Sequence, residues 1–343
     1  MDFNRLFNTH HFALDWVQVE ISTFCNCRCI YCPHAEYYEQ WQNRHLPLGL
    51  FQRLVPMFEK TKLVHLQGWG EPFTHPLFFD MVRTAKQAGC LVGTTTNGTL
   101  LNGESIERVV GDGLDILGFS LAGVDQKNDF IRKGTQISKI LRCLEEVQRV
   151  KERHRVHTPE IHIAYMLLHS GLDDLEKIPA FLANTEVSQM VISSLSLVLN
   201  PAMASESVLA SSRDEYVELS HRMDHIRESS ANLGTDLHFH MVSPFMDENP
   251  CSENISRALV VGSDGSVSPC VMAQVPVEGE CFYCFRGQKE PLRRLVFGNI
   301  ADGSLSEIWS QREYRQFVRA HFKSEVPDFC TRCNKRFIDM EVQ

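Results

Sequence analysis

Four cysteines fall within eight positions of the stretch STFCNCRCIYCPH, as Cys25, Cys27, Cys29 and Cys32, directly after the apolar run VQVEIS. Crowded thiolates are soft ligands suited to iron–sulfur clusters and to zinc. The spacing Cys25-x3-Cys29-x2-Cys32 can wrap a short loop round a [4Fe–4S] cube, holding three irons and leaving the fourth open. Cys27 is the odd one out, because a single residue separates it from Cys29 and makes bridging two irons awkward. On cysteine spacing alone, zinc remains a rival. A second group, Cys251, Cys270, Cys281, Cys284, Cys330 and Cys333, lies near the other end. Cys90 and Cys143 stand alone and read as small buried hydrophobes.

The 12 cysteines are the anomaly in an otherwise ordinary soluble composition of 43% hydrophobic and 22% charged residues. The net charge of -9, without a basic stripe, argues against a nucleic-acid partner. No apolar run reaches the length of a membrane span, and the N-terminus lacks a basic region followed by an apolar one. The expected location is therefore the cytosol, with no membrane partner. In that reducing compartment many cysteines point to metal or catalytic thiols rather than disulfides.

Between the cysteine groups, strand-like and helix-like patterns alternate. Short apolar, β-branched runs at 17–22, 62–68, 91–98, 115–123, 160–168 and 188–197 read as strands. Apolar residues at three- and four-residue spacing mark helices in LFQRLVPMFEK, LFFDMVRTAKQAG, SKILRCLEEVQRVKERH and LDDLEKIPAFLANTE, and a further helix covers 211–234. Consecutive βα units imply a parallel sheet, curved into an open barrel or left doubly wound. Past residue 233 the rhythm breaks. There ALVVGSDGSVSPC reads as a hairpin with an Asp264-Gly265 turn, and one amphipathic helix precedes CTRC. That segment is short of apolar residues, so bound metal is expected to help hold it together.

The chain resembles the radical S-adenosylmethionine (SAM) enzymes. Their C-x3-C-x2-C loop follows the first barrel strand, with an aromatic before the last cysteine, here Tyr31. After the second strand they carry a Gly-Gly-Glu-like motif that receives the SAM amino group. Here it reads GWGEP, with Gly68, Trp69, Gly70 and Glu71 in place. Asn97 in TTNGT, Ser120 at the fourth strand's end and Arg132 in FIRKGT match positions that line the SAM site in the family. Where relatives often carry an acidic residue two places after that serine, this chain has Ala122.

The C-terminal cysteines resemble the auxiliary-cluster region called SPASM/twitch. Cys251, Gly265 with Cys270, FGNIADGSLSEIW, and Cys330 with Cys333 follow its pattern. The cysteines stop where a two-cluster domain would continue, which fits the shorter, twitch-like form with one fully ligated [4Fe–4S] cluster. Cys281 and Cys284 lie in what reads as an insertion.

The resemblance implies a partial (β/α)6 TIM-like barrel over 12–232 and a small α+β twitch-like iron–sulfur domain over 233–343. It implies cofactors of two kinds: a [4Fe–4S] cluster on Cys25, Cys29 and Cys32 with SAM, and one auxiliary cluster on Cys251, Cys270, Cys330 and Cys333. The implied activity is reductive cleavage of SAM to a 5′-deoxyadenosyl radical that abstracts hydrogen from substrate. A flavodoxin- or ferredoxin-like protein is the implied electron donor. About two dozen residues precede Cys25, too few for the leader-binding domain that peptide maturases often carry. This tilts the expected substrate to a small molecule or cofactor precursor, with a peptide as the alternative. A non-catalytic iron–sulfur carrier or sensor is the rival of another class, but it would need no Gly70, Glu71 or open iron.

Overall fold

The computed structural model describes residues 13–243, 251–323 and 325–339. Its centre is an 11-stranded sheet. In chain order the strands are β1 (Leu14–Val19), β2 (Thr61–Leu66), β3 (Leu91–Thr96), β4 (Ile116–Leu121), β5 (Glu160–Leu167), β6 (Gln189–Ser194), β7 (Asp236–Val242), β8 (Ala258–Val261), β9 (Ser266–Ser268), β10 (Gly298–Asn299) and β11 (Ile338–Asp339). Their order across the sheet is β10-β9-β8-β1-β2-β3-β4-β5-β6-β7-β11. Every pair from β8 through β7 is parallel, whereas β9, β10 and β11 run antiparallel to their neighbours. Strands in such a sheet are covered on both faces and read as nearly continuous apolar runs. ILGFSL of β4 is an example, with one residue of the run only half-buried.

The expected barrel strands all form. The alternation also continues one strand past residue 233, since β7 pairs in parallel with β6 from Gln189↔Asp236 onward. A division after residue 232 therefore falls just before a strand that still belongs to the barrel sheet. The Asp264-Gly265 hairpin forms as β8–β9, with Gly265 at φ +80° and its N–H bonded to the Gly262 carbonyl. There a left-handed residue closes the turn without Cβ strain.

Three helical runs are interrupted, two of them at prolines. LFQRLVPMFEK divides into Leu48–Gln52 and Val55–Phe58, with Pro56 in the first turn of the second piece. Residues 172–186 become a 3-10 turn, His169–Lys177, and a short helix Ile178–Leu182 with Pro179 at its start. A proline fits a helix's first turn but cannot donate within it. The C-terminal helix breaks at Gln311, whose amide donates to the Phe297 carbonyl. A further helix, Gly103–Gly111, went unread between β3 and β4; Asn102 and Ser105 start it with a capping box built on serine rather than glutamate.

The C-terminal segment is not short of a core throughout. Leu259, Val261, Val267, Ile300, Leu305, Ile308 and Tyr314 join the main barrel core, and Phe297 stacks on Tyr314 at 4.3 Å. Only its last stretch depends on a small separate cluster of Val242, Phe337 and Ile338 beside Phe285. Among the described residues no helix is long and apolar enough to cross a membrane.

Candidate functional site

The C-terminal ends of the parallel strands open onto one cavity of about 310 Å³. This is the face on which barrel enzymes place their chemistry. Cys25, Cys29, Cys32, Tyr31, Gly68, Trp69, Gly70, Glu71, Asn97, Ser120 and Arg132 all line it. They come from five separate segments of the sequence, and the sheet brings them together. Cys27 lines it too, but its side chain is only 2% exposed.

Local contacts shape the cysteine loop. Arg28–Cys29 pairs antiparallel with Arg132–Lys133, setting Cys29 opposite Arg132. The Cys32 N–H donates to the Cys29 carbonyl, and Cys32 then starts the short helix Pro33–Glu36. Gly134, at φ +103°, lies over Cys27, so that an added Cβ would stand 3.3 Å from its sulfur. Arg132 donates to the Tyr31 hydroxyl, yet its Nε is buried without a hydrogen-bond partner. An orphaned guanidinium donor beside three thiols suits an anionic group such as a thiolate-ligated cluster. Soft donors on one open-mouthed cavity fit a [4Fe–4S] cube with one iron left for another ligand.

The GWGE loop is held tightly. A Cβ on Gly70 would lie 2.3 Å from the Ser22 carbonyl oxygen, and the Glu71 N–H donates to the Phe24 carbonyl at 2.8 Å. Glycine is required at position 70 because the loop passes directly against the cysteine loop's backbone. Glu71, 2% exposed, accepts from Thr96 Oγ1 at 2.6 Å and Phe73 N at 3.2 Å through one oxygen. Its other oxygen accepts from Asn97 N at 2.7 Å. Burial raises its pKa, which an arriving ammonium would offset. The carboxylate thus joins the ends of β2 and β3 as well as facing the cavity. Glu71→Ala should weaken SAM binding by about 2 kcal/mol while the cluster persists, as expected for loss of a charge-assisted contact. A SAM titration of the reduced variant checks this, and unchanged affinity would remove Glu71 from the site.

Glu20 went unrecognised in the sequence, although a carboxylate inside the apolar VQVEIS was a signal. It is 2% exposed, accepts from Trp69 N at 2.9 Å, and faces Ser263 N and Oγ at 3.4 and 3.3 Å. Its Cγ would stand 2.2 Å from a Cβ on Gly68. Burial, with a smaller push from Asp264, raises its pKa from 4.5 to about 7. The folded state therefore holds a proton that the unfolded chain releases between those values. Stability should fall as pH rises from about 4.5 to 7, by about 3 kcal/mol in all, and stay lower above it. Thermal midpoints at pH 5.5 and 8 should converge in Glu20→Gln; an undiminished difference would assign the effect elsewhere.

Around the C-terminal cysteines a second cavity of about 500 Å³ is lined by Cys333, Tyr283, Arg293 and Arg332, and shares Ser196, Leu197 and Met272 with the first. Cys251, Cys270 and Cys330 each lie close enough to Cys333 for its charge to raise their pKa, though burial raises each more. Among the described residues no three His, Cys, Asp or Glu side chains converge on a single-ion site. Ligands of a cube bind separate irons and stand further apart. Cys281 instead donates to the Leu292 carbonyl at 3.1 Å, and the Cys284 backbone N–H donates to that of Val198 at 2.6 Å. Cys284 belongs to a hairpin, Phe282–Phe285 with Gln288–Pro291, that Cys281 directly precedes and that lines the second cavity through Tyr283, Glu290 and Pro291.

Residues 19–179 match the Radical SAM superfamily, and residues 251–334 match SPASM, an iron-sulfur cluster-binding domain. The chain is 26% identical over 335 residues to a tungsten-containing aldehyde ferredoxin oxidoreductase cofactor-modifying protein of Pyrococcus furiosus, covering 94% of this chain and 88% of that one. It is 28% identical over 185 residues to a GTP 3',8-cyclase of Chlorobaculum tepidum, about half of each chain (52% and 52%). The fold matches Streptococcus suis SuiB bound to SAM at a TM-score of 0.65 and 13% identity, over 90% of this chain and 68% of that one. It matches anSMEcpe bound to SAM at 0.63 and 17% identity, over 93% and 88%. A radical SAM domain binds a [4Fe–4S] cluster with SAM, and a SPASM domain binds auxiliary iron–sulfur clusters. The chain belongs to the radical SAM superfamily, as an enzyme with a C-terminal SPASM domain.

Proposed function

We propose that this enzyme acts on a small molecule or cofactor precursor. The observation that carries the reading is the end-to-end match, over 94% of this chain, to a protein named as cofactor-modifying. The joined cavities are consistent with it, since about 500 Å³ beside Cys333 is the size of a pocket for a ligand of modest mass. A cluster held by Cys25, Cys29 and Cys32, with SAM bound beside it, would supply one-electron radical chemistry, the abstraction of a hydrogen atom from substrate.

The chain's own residues have simpler tasks. Cys25, Cys29 and Cys32 hold the cluster; Arg132, braced by the Tyr31 hydroxyl, balances its charge; Gly68–Glu71, Asn97 and Ser120 hold SAM. Leu195, Leu197, Met166 and Met272 make an apolar wall that keeps water from the reacting centre. Cys251, Cys270, Cys330 and Cys333 hold one auxiliary [4Fe–4S] cluster. A flavodoxin- or ferredoxin-like protein delivers the electron.

Peptide modification is the second reading, favoured by the fold's likeness to SuiB bound to its precursor peptide SuiA, at a TM-score of 0.61. Anaerobic protein with SAM and dithionite should form 5′-deoxyadenosine faster when a peptide-free metabolite extract is added. Stimulation only by a peptide fraction would replace the first reading with the second.

A further inference from the structure

Trp69 stands between two glycines of the GWGE loop and makes two contacts with different parts of the molecule. Its backbone N–H donates to Glu20, whose other oxygen faces Ser263 at the β8–β9 turn. Its indole Nε1–H donates to the Val271 carbonyl at 3.2 Å. Val271 directly follows Cys270. The turn and the exit of one hairpin are therefore both joined to this residue.

The hairpin it touches is a stiff block. Gln274 donates to the Ser266 carbonyl at 3.0 Å, and Arg294 donates to Asp264, Ser266 and Gln274 at 2.8–2.9 Å. The Glu20 N–H donates to the Val261 carbonyl at 2.8 Å, aligning the hairpin with β1. The same C-terminal stretch also braces the cysteine loop's exit. Gln42 N donates to Pro276 O and Glu278 N to Gln40 O, while the Tyr37 hydroxyl exchanges bonds with the backbone of Phe282. The indole, like Met272 and Tyr31, packs against the apolar cluster that includes Leu195 and Leu197.

We propose that Trp69 is a positioning residue through which the ordered auxiliary segment, by way of Val271 beside Cys270, sets the SAM-binding loop, so that SAM affinity depends on the auxiliary site. This rests on Gly68–Glu71 being the loop that holds SAM. Loosening the Cys270 segment therefore releases one side of the loop without touching the three cysteines of the open-iron cluster.

The test is a double-mutant cycle on anaerobically reconstituted protein, with SAM titrated against the spectroscopic signal of the reduced cluster rather than against turnover. Trp69→Phe keeps an aromatic side chain and removes the indole N–H; Cys330→Ala with Cys333→Ala removes auxiliary ligands at a distance. Each change alone should weaken SAM binding about five- to tenfold, the scale of one buried hydrogen bond, and the combination should weaken it little further. Multiplicative effects, or unchanged affinity in Trp69→Phe, would overturn the proposal. If the cysteine variant does not fold, hydrogen exchange in Trp69→Phe decides. Faster exchange at 68–71 together with 271–274 supports the tie, and unchanged protection of both refutes it. Because SAM binding is read directly, loss of the substrate assignment would leave this result standing.

Discussion

Changing Cys29 to Ala should remove the open-iron cluster and reduce SAM cleavage to background, while changing Cys27 to Ala should leave both in place. Cys29 is fixed opposite Arg132 by strand pairing, and its carbonyl receives the Cys32 N–H, so the two thiols are held in one tight turn. Burial raises the Cys32 pKa to about 12, with smaller pushes from the charges of Cys29 and Cys25. Those three thiols share one space, as ligands of a single cube must; Cys27 lies against Cys25 and Cys29 too, so its spacing in the chain, not its distance, sets it apart. Cys27 sits beneath Gly134 and beside Cys25, with its sulfur 3.9 Å from Asn26 Oδ1. Removing that sulfur leaves a small void and a cost of about 1 kcal/mol in stability, without losing an iron ligand. Iron content and 5′-deoxyadenosine yield check both variants. Loss of cleavage from Cys27→Ala with its iron retained would sink the assignment.

The second large effect is expected at the other cysteine group. A variant lacking Cys25, Cys29 and Cys32 should retain about four irons per chain after anaerobic reconstitution, the content of one cube. Further loss of Cys330 and Cys333 should remove that iron, whereas loss of Cys281 and Cys284 should not. Cys251, Cys270 and Cys330 all sense Cys333. For Cys281 burial alone raises the pKa, and its thiol is satisfied by its own hairpin. The structural consequence should centre on the last stretch and reach the turn that follows Cys270, while the rest of the C-terminal segment holds. The β8–β9 hairpin and residues 305–322 join the barrel core through Val261, Val267, Ile308 and Tyr314. The stretch ending in Phe337 and Ile338 has only a small cluster of its own. Protease should therefore cut near 328–337 first when the auxiliary iron is lost. Iron loss in the Cys281/Cys284 variant would instead show that the hairpin supplies ligands.

The cysteine spacing, the GWGE motif and the alternation of β-branched runs with helical ones were legible because each is a local pattern. A ligand loop has a fixed reach, and a parallel strand buried on both faces must be apolar almost throughout. That pointed to the family and the barrel, and to residues that the structure brings to one cavity. Helix interruptions at Pro56 and Pro179 were equally local and could have been read. The seventh barrel strand was harder, since DLHFHMV alternates polar and apolar residues and sits beside a segment dominated by cysteines. Only the tertiary structure decided what depends on contacts distant in sequence. Glu20 is separated by 243 positions from Ser263, and the Trp69 indole by 202 from Val271. No periodicity records such pairs, because the energy that selects them is a buried hydrogen bond made only after the C-terminal hairpin has aligned with β1. The distinction between cysteines that share a space and those that do not arises in the same way. Cys281 and Cys284 carry a ligand-like C-x2-C spacing, but the Cys281 thiol donates to the Leu292 carbonyl across its own hairpin.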